Sequence, residues 1–243
     1  MKTSAVILAA GKGTRMGSDL AKVLHPLAGR SLVAHVLQHC KTAHIAQCIC
    51  VIGHQREAVA AEVEPLGASC VIQDQQLGTG HAVMMAEAVA TGDTVLVLCG
   101  DAPLVGAELL QQVLAQHQAS GDAATAVAAH MADPTGYGRM VLDSDGHLQA
   151  IVEQRDCSPE QAQISLINSG IFAFERDVLF TLLQRLRPEN AQGEYYLTDV
   201  VKMLVSEGAA VGLVIHNEPS ELLGINTPEH LAEAEAYLVS RGA

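Results

Sequence analysis

Apolar runs and amphipathic segments alternate along the first half of the chain. Four short runs are mostly apolar, which is typical of strands buried on both faces of a parallel sheet. Between them, apolar residues recur every three or four positions, which predicts helices. The predicted strands are 5–10, 47–53, 69–73 and 94–100, and the predicted helices are 31–40, 56–65, 79–90 and 107–118. This order predicts successive βαβ units with right-handed crossovers.

After residue 121 the pattern changes to strand-like segments that follow one another without intervening helices. One of them contains an Asp-Gly turn at 145–146, which is typical of a hairpin. Near the end, Thr227 and Pro228 are suited to cap and open a last helix. The predicted strands here are 123–131, 136–154, 165–175 and 210–216, with a helix at 196–208. We therefore predict an α/β fold, doubly wound and Rossmann-like, with a mixed sheet.

Composition restricts the class of protein. Hydrophobic residues make up 49% of the chain, aromatic residues only 3%, and Trp is absent, so the core consists of small and branched aliphatic side chains. The six cysteines form no C-x-x-C pair, and most lie in apolar runs, which predicts buried, reduced thiols. The apolar start "MKTSAVILAA" is too short for a signal peptide, and no run approaches the ~18 residues of a membrane span. We expect a cytoplasmic protein with no membrane partner.

Charge is distributed unevenly. The net charge of −13 argues against nucleic acid as a partner, yet residues 1–30 carry +4, which leaves −17 on the rest. The positive residues surround the glycine-rich stretch "VILAAGKGTRMGSDLAKVLHPLAG" at 6–29. Chance clustering on a solvated face is one explanation. The other is a cationic site for a small anionic ligand, since the local field governs such binding.

The glycine-rich stretch fits neither common phosphate-binding motif. The Walker A spacing is absent, and Met16 occupies the last glycine position of the dinucleotide motif, which disfavours a dehydrogenase. The next helix begins only after Arg30, so the stretch is a long loop. Its glycines permit backbone N–H groups to approach phosphates, while Arg15 and Lys22 add two side-chain cations. This combination favours a triphosphate undergoing reaction over a static cofactor.

Eight motifs in order carry a resemblance to a known family. They are "LAAGKGTRM" with a following Lys, "QLGTGHA", "GDAPL", "DPTGYGR", "IVEQRD", "INSGI", "NAQGEYYLTD" and "GIN". Over nearly its whole length the chain resembles the uridylyltransferase domain of the bacterial N-acetylglucosamine-1-phosphate uridylyltransferases. The resemblance implies a nucleotidyltransferase fold with a sugar-binding lobe and transfer from UTP to N-acetylglucosamine 1-phosphate. The products would be UDP-N-acetylglucosamine, a precursor for peptidoglycan and lipopolysaccharide, and pyrophosphate.

The resemblance also implies site residues, of which Arg15 and Lys22 would be catalytic. Asp101 and Asn226 would hold Mg²⁺, a cation that favours oxygen ligands. The implied substrate-binding residues are Leu8, Ala9, Ala10, Gly11, Lys22, Gln73, Gly78, Thr79, Cys99, Gly100, Asp101, Gly138, Glu153, Asn168, Glu194, Tyr196, Thr198 and Asn226. Two positions depart from the family pattern, because Cys99 stands where Tyr is expected and Ser169 where Thr is common.

Several of these residues also have a purely structural interpretation. Thr79 and Asp101 are placed to cap helices, Asn226 to form a turn, and Lys22 to sit in solvent. Glu153 and Asn168 interrupt apolar patterns, so each needs either a sugar hydroxyl or an internal hydrogen bond.

The resemblance suggests one nucleotidyltransferase domain over 1–243, with a nucleotide-binding part at 1–121, a sugar-binding part at 122–226 and a C-terminal helix at 227–243. Bifunctional members of the family continue into a β-helical acetyltransferase that this chain lacks. Acetyl transfer is therefore not expected, and we expect a monomer or weak homodimer. Three alternatives stay open: transfer of another nucleotide or sugar, a non-catalytic nucleotide sensor, and the disfavoured dehydrogenase.

The residues favour one mechanism. No Ser–His or Cys–His pair is evident, so we predict direct in-line displacement at the α-phosphorus, assisted by Mg²⁺ and without a covalent intermediate. His35 and His39 stand four residues apart, as in some zinc sites, but no third ligand is evident, and we interpret them as helix-face histidines.

Overall fold

The first apolar run lies inside a nine-stranded mixed sheet. In the computed structural model, which describes residues 2–241, the sheet order is β11-β7-β10-β6-β1-β4-β5, and β8 and β9 form a hairpin beside β10. A separate pair of two-residue strands, β2 and β3, follows the glycine-rich loop. The strands are β1 Thr3–Ala9, β2 Pro26–Leu27, β3 Arg30–Ser31, β4 Gln47–Ile52, β5 Ser69–Ile72, β6 Thr94–Cys99, β7 Ala124–His130, β8 Arg139–Leu142, β9 Leu148–Val152, β10 Leu166–Glu175 and β11 Val211–Ile215.

Helices cover both faces of this sheet. They are α1 Leu32–Thr42, α2 Arg56–Val63, α3 Thr79–Met84, α4 Ala107–Ser120, α5 Arg176–Leu183, α6 Asp199–Ser206 and α7 Pro228–Ser240. Side chains of β1 alternate between the faces: Ala5 and Ile7 pack in the cluster that holds α1, α2 and α4, whereas Val6 packs with α3, α5 and α6. Both sides of a buried strand need apolar residues, which explains its nearly continuous apolar run.

The change of pattern after residue 121 corresponds to a change of strand direction. β1 pairs in parallel with β4 and β6, whereas β10 runs antiparallel to both β6 and β7. The Asp-Gly turn at 145–146 joins β8 to β9, and β11 returns parallel to β7. The prediction of a doubly wound α/β fold with a mixed sheet is confirmed.

One predicted helix needs correction, and two elements of the structure were not predicted. The helix predicted at 79–90 ends at Met84, because the backbone continues in turns whose Glu87 and Ala90 carbonyls accept hydrogen bonds from the Arg176 guanidinium at 3.1 and 2.7 Å. Helix α5, which follows β10 without any breaking residue, is absent from the prediction. The β2–β3 hairpin was also not predicted; it turns through Ala28 and Gly29, both at positive φ.

The cap of α7 and the state of the cysteines can be compared with the predictions from the sequence. Thr227 caps α7, and its side chain accepts from the backbone N–H of His230, as predicted. All six cysteines are free thiols, but only Cys40 and Cys50 are buried and the other four are partly exposed. Within residues 2–241 no helix has the length and apolar content to cross a membrane. Residues 1, 242 and 243, which belong to the predicted parts 1–121 and 227–243, lie outside the described residues.

Candidate active site

A cavity of about 280 Å³ opens where the parallel strands end. The carboxyl ends of parallel strands are where open α/β sheets bind ligands. Ten of the residues singled out from the sequence line this cavity: Leu8, Ala10, Gly11, Lys22, Gln73, Gly78, Thr79, Cys99, Asp101 and Glu194. They come from the ends of β1, β5 and β6, from the glycine-rich loop, from the start of α3 and from the segment before α6. The cavity is therefore built by elements far apart in sequence.

Eight of the eighteen implied contact residues do not line the cavity, among them Ala9 and Gly100 at the strand ends. Ala9 is buried in the core on the face of α1, α2 and α4. Gly100 lies against β1, where its N–H donates to the Leu8 carbonyl at 2.9 Å, and an added Cβ would stand only 2.9 Å from that oxygen. Gly100 thus lets two strand ends approach each other.

The glycine-rich loop is anchored by a buried side chain, that of Met16. Its short helical turn, Thr14–Met16, lies between Gly13 and Gly17, both at φ 63°. The Met16 side chain is buried in a small cluster that includes Ile225 and Ala234, so it anchors the loop beside α7. This packing explains why residue 16 is Met, where a dinucleotide-binding motif would have its last glycine.

Positive side chains converge on Asn226 and Asp101. The Asn226 Oδ1 accepts from Arg15 and from Lys22 Nζ, each at 2.7 Å, and the same ammonium forms an ion pair with Asp101 Oδ2. Asn226 Nδ2 donates to the Gly224 carbonyl at 2.9 Å, which fixes the orientation of its amide. The Ile225 N–H donates to the Asp101 carbonyl at 2.8 Å and ties the two loops together.

This cluster has the chemistry of a site for cations and anions together. A carboxylate oxygen and an amide oxygen meet at one ammonium nitrogen, so both oxygens face a position that already holds a cation. Such oxygens are the donors that Mg²⁺ prefers, and Asp101 and Asn226 could hold a divalent cation. Arg15 is exposed and Lys22 half-buried, which leaves both available to phosphate oxygens.

Within the described residues, a second cluster of possible metal ligands lies in the β8–β9 turn, where its hydrogen bonds stabilise the turn itself. Asp143, Asp145 and His147 bring their side chains together in the exposed β8–β9 hairpin. The Asp143 carboxylate accepts from the backbone N–H groups of Asp145 and His147, each at 2.9 Å. This turn lies outside the cavity lining. His35 is also engaged structurally, with its Nε2 2.8 Å from the Leu27 carbonyl oxygen.

One end of the cavity is formed by two chain segments that bond to each other. Tyr195 donates its N–H to the Leu77 carbonyl at 2.8 Å, and Gly80 donates its N–H to the Tyr195 carbonyl at 2.7 Å. The Thr79 hydroxyl accepts from the Leu197 N–H at 3.1 Å. Gly78 stands between these bonds at φ 113°, where an added Cβ would lie 2.6 Å from the Tyr195 carbonyl oxygen.

Gly78→Ala is expected to destabilise this end of the cavity. A residue held in a sparsely populated backbone region costs roughly 1–3 kcal/mol, and the new methyl group also collides with Tyr195. Thermal unfolding should show a lower Tm for Gly78→Ala than for the wild type. Gly106→Ala is the control, because Gly106 has φ −75° and no atom near the added Cβ. Equal Tm values for the two variants would contradict the argument.

A second polar cluster lies next to the cavity. The Glu153 Oε1 accepts from the Thr198 hydroxyl at 3.0 Å, and Asn168 donates its N–H to the Gly138 carbonyl at 2.9 Å. An added Cβ at Gly138 would lie 3.5 Å from Glu153 Oε2. Burial raises the pKa of Glu153, and neighbouring carboxylates add to this effect. Gly138, Glu153, Asn168 and Thr198 therefore lie together as one group.

Tyr196 has a different environment from this group. Its side chain is buried, and its hydroxyl accepts from Gln192 Nε2 at 2.7 Å. Burial raises its pKa. Glu194, two residues earlier, does line the cavity.

Cys99 connects the cavity to the second cluster. Burial raises the pKa of its thiol to about 12, with further contributions from the charges of Asp101 and Glu153. An added Cβ at Gly170 would lie 3.0 Å from its sulfur. A thiol with so high a pKa stays protonated near neutral pH and is a poor nucleophile.

Sequence reasoning missed Tyr137. Burial raises the pKa of its hydroxyl, the charge of Asp101 raises it further, and Arg15 opposes them. Tyr137 is therefore near the cationic cluster. An aromatic residue between Gly136 and Gly138, in a loop of the motif that supplied Gly138, was the available signal.

An α/β sheet with a cationic loop, a carboxylate and an amide oxygen at its carboxyl edge is the arrangement expected of a nucleotidyltransferase. The sequence profile of the MobA-like NTP transferase domain matches residues 5–165, and the chain belongs to this family. Two solved structures share the fold. A UDP-glucose pyrophosphorylase complexed with UDP-glucose has a TM-score of 0.77 and 18% identity over 99% of this chain and 100% of its own. A Bacillus anthracis protein described as a glucose-1-phosphate thymidylyltransferase has a TM-score of 0.78 and 20% identity, over 97% and 94%.

Relatives of higher identity extend over nearly the whole chain. The bifunctional protein GlmU of Alkaliphilus oremlandii is 43% identical over 241 residues, which are 99% of this chain and 53% of that protein. GlmU of Pelotomaculum thermopropionicum is 46% identical over 243 residues, again 99% and 53%. The kinship inferred from the eight motifs is confirmed. The chain spans about half the length of these relatives.

Proposed function

We propose that this chain transfers the uridylyl group of UTP to N-acetylglucosamine 1-phosphate and releases pyrophosphate. The observation that carries the proposal is the convergence of Arg15 and Lys22 with Asp101 and Asn226 beside the cavity. The choice of base and sugar rests on the motif resemblance. In this proposal the nucleotide is bound within residues 1–121 and the sugar within 122–226, and helix α7, Pro228–Ser240, follows them.

The reaction we propose is a single displacement. An oxygen of the sugar phosphate attacks the α-phosphorus, the bond from that phosphorus to the bridging oxygen breaks, and pyrophosphate leaves. The attacking oxygen is already ionised near neutral pH, so no general base is needed. The high pKa of Cys99 supports direct attack, because a protonated thiol does not compete as a nucleophile.

In this proposal the side chains of the site lower the electrostatic barrier to the reaction. Two anions must approach each other, and Arg15 and Lys22 bring positive charge to the meeting point. Asp101 and Asn226 would hold Mg²⁺, which when bound neutralises phosphate oxygens and favours the departure of pyrophosphate.

We infer the biological setting from the same resemblance. The enzyme would supply UDP-N-acetylglucosamine for peptidoglycan and lipopolysaccharide. It would act in the cytoplasm as a monomer or weak homodimer, without nucleic acid or membrane as partners. The net charge of −13 supports the expectation that nucleic acid is not bound.

A pyrophosphate-release assay tests the proposal. Each of the four nucleoside triphosphates is offered with N-acetylglucosamine 1-phosphate, with and without Mg²⁺. We expect release with UTP that requires both the sugar phosphate and Mg²⁺. Preference for another triphosphate, or for glucose 1-phosphate as the acceptor, would favour the alternative within the same class of enzyme. Release in the absence of any acceptor would contradict transfer.

Glu153→Gln is expected to weaken sugar-phosphate binding and stabilise the fold at neutral pH. A hydrogen bond to a charged group is lost, which raises the KM for N-acetylglucosamine 1-phosphate roughly 10–100-fold. Because burial raises the pKa of Glu153, its ionised form destabilises the folded state above that pKa. The variant should therefore have a higher Tm than the wild type at pH 7–8.

The difference in Tm between Glu153→Gln and the wild type should depend on pH. The Tm advantage should disappear below the usual Glu pKa of about 4.3, where the wild-type side chain is protonated in both the folded and unfolded states. Glu189→Gln is the matched control, because Glu189 is exposed and makes no hydrogen bond or ion pair within residues 2–241. A Tm advantage that persists at pH 4 would contradict burial as the cause.

A further inference from the structure

Arg139 is a buried side chain with a positive charge. It begins β8 and is 1% exposed. Within residues 2–241 it forms no ion pair with a carboxylate, and its Nε has no hydrogen-bond partner. A buried charge without a charged partner lowers the stability of a fold. Core packing alone therefore does not explain an arginine at this position.

The guanidinium of Arg139 joins segments that lie beside the second polar cluster. Its Nη1 donates to the Tyr137 carbonyl. Its Nη2 donates to Gln154 Oε1 at 2.8 Å and to the Ala162 carbonyl at 3.4 Å. The same Gln154 Oε1 accepts from the Gly136 N–H at 2.9 Å. Arg139 and Gln154 thus connect the loop before β8 to the turn after β9.

These two connected segments also carry residues of the candidate site. Gly138 and Glu153, which belong to the second polar cluster, stand directly before Arg139 and Gln154 in the sequence. The loop before β8 also places the Tyr137 phenol near the cationic cluster. The hydrogen bonds of Arg139 therefore influence where the sugar-side residues stand relative to the cations.

The other backbone hydrogen bonds of this loop do not make the same connection. The Gly138 carbonyl accepts from the Asn168 N–H at 2.9 Å, which ties the end of the loop to β10. The Tyr137 N–H donates to the Pro134 carbonyl at 3.2 Å, a contact within the loop itself. Neither bond reaches Gln154, so the position of the loop against the turn after β9 depends on the guanidinium.

We propose that Arg139 is a positioning residue that holds the loop before β8 against the cationic cluster and thereby sets the affinity for the sugar phosphate. Such a ligand must place its sugar at the second polar cluster and its phosphate at the cations, so the distance between the two clusters matters. The far end of the cavity, around Gln73 and Gly78, is built by other segments. The inference rests on the proposed function, because it assumes a sugar phosphate between the two clusters.

Arg139→Met removes the hydrogen-bond donors together with the buried charge. These two losses have opposite effects on stability, so the Tm should stay near that of the wild type. We expect the KM for N-acetylglucosamine 1-phosphate to rise roughly tenfold, since a displacement of about 1 Å can cost up to ~10²-fold, while the KM for UTP stays unchanged. Arg155→Met is the matched control, because Arg155 is exposed and makes no hydrogen bond or ion pair within residues 2–241. Equal changes in both KM values, or a lower Tm with both unchanged, would identify a merely structural role and overturn the inference.

Two variants of Gln154 test the same contact with Arg139 in place. Gln154→Leu removes the acceptor that the guanidinium and Gly136 share, so the KM for the sugar phosphate should rise as in Arg139→Met. Gln154→Glu keeps an acceptor for both donors, so this KM should stay near the wild-type value. Equal increases in the two Gln154 variants would show that the hydrogen bonds are not responsible and would overturn the inference.

Calorimetric titration separates this inference from the proposed function, because it measures binding without transfer. The affinity of Arg139→Met for UDP-N-acetylglucosamine should fall roughly tenfold, while its affinity for UTP should not change. If the wild type binds UDP-N-acetylglucosamine and the variant binds it equally well, the inference is overturned and the proposed function stands. If the wild type binds UTP but not UDP-N-acetylglucosamine, the proposed function fails, and the inference fails with it.

Discussion

Lys22→Ala is expected to reduce turnover by roughly 10²–10³-fold, the usual effect of losing one charged contact in the transition state. The Lys22 ammonium is bonded both to the Asp101 carboxylate and to the Asn226 amide oxygen, at the place where we propose that phosphates react. Turnover should fall more than the KM for UTP rises, because the charge matters most when the two anions approach. Steady-state kinetics at saturating Mg²⁺ measures both quantities.

Lys12→Ala is the matched control for this variant. Lys12 belongs to the same glycine-rich loop, is exposed, and makes no hydrogen bond or ion pair within residues 2–241. Its removal changes the net charge by the same amount, so any effect of overall field is shared. Tm should change little in either variant, since the Lys22–Asp101 pair keeps some contact with solvent. Similar turnover for the two variants would contradict a specific role of Lys22.

The apolar pattern predicted the sheet well because burial determines it directly. A strand with helices on both faces must be apolar on both faces, as Val6 and Ile7 illustrate. The end of α3 could not be predicted in this way. It depends on Arg176, which reaches back about ninety residues to bond two carbonyls, and no local pattern encodes such a contact. Helix α5 was missed because no Gly or Pro separates it from β10.

In the site, single residues could be identified from the sequence, but the contacts between distant residues could not. The family resemblance singled out Lys22, Asp101 and Asn226 separately, but their meeting at one nitrogen joins positions 204 residues apart. The anchoring of the glycine-rich loop by Met16 likewise depends on α7. From the sequence, Met16 could be interpreted only as a mismatch to another motif. Contacts of this kind follow from the fold and not from neighbouring residues.

Asp101→Asn is expected to slow turnover and raise the Mg²⁺ requirement. The variant keeps the size of the side chain but removes the carboxylate that pairs with Lys22 beside Asn226. Loss of a supporting partner typically weakens metal affinity 10–100-fold, so loss of a direct ligand should raise the Mg²⁺ concentration for half-maximal rate by at least about tenfold. A titration of rate against Mg²⁺ at saturating UTP measures this shift.

The Mg²⁺ titration also separates the two roles that Asp101 could have. If Asp101 only orients Lys22, the maximal rate should fall while the half-maximal Mg²⁺ concentration stays unchanged, and the metal assignment would be wrong. If it holds the metal, excess Mg²⁺ should restore part of the lost rate. Asp143→Asn is the control, because Asp143 belongs to the other acidic group and an amide oxygen preserves its two backbone hydrogen bonds. Its Mg²⁺ dependence should match that of the wild type, since the β8–β9 turn lies apart from the residues that line the cavity.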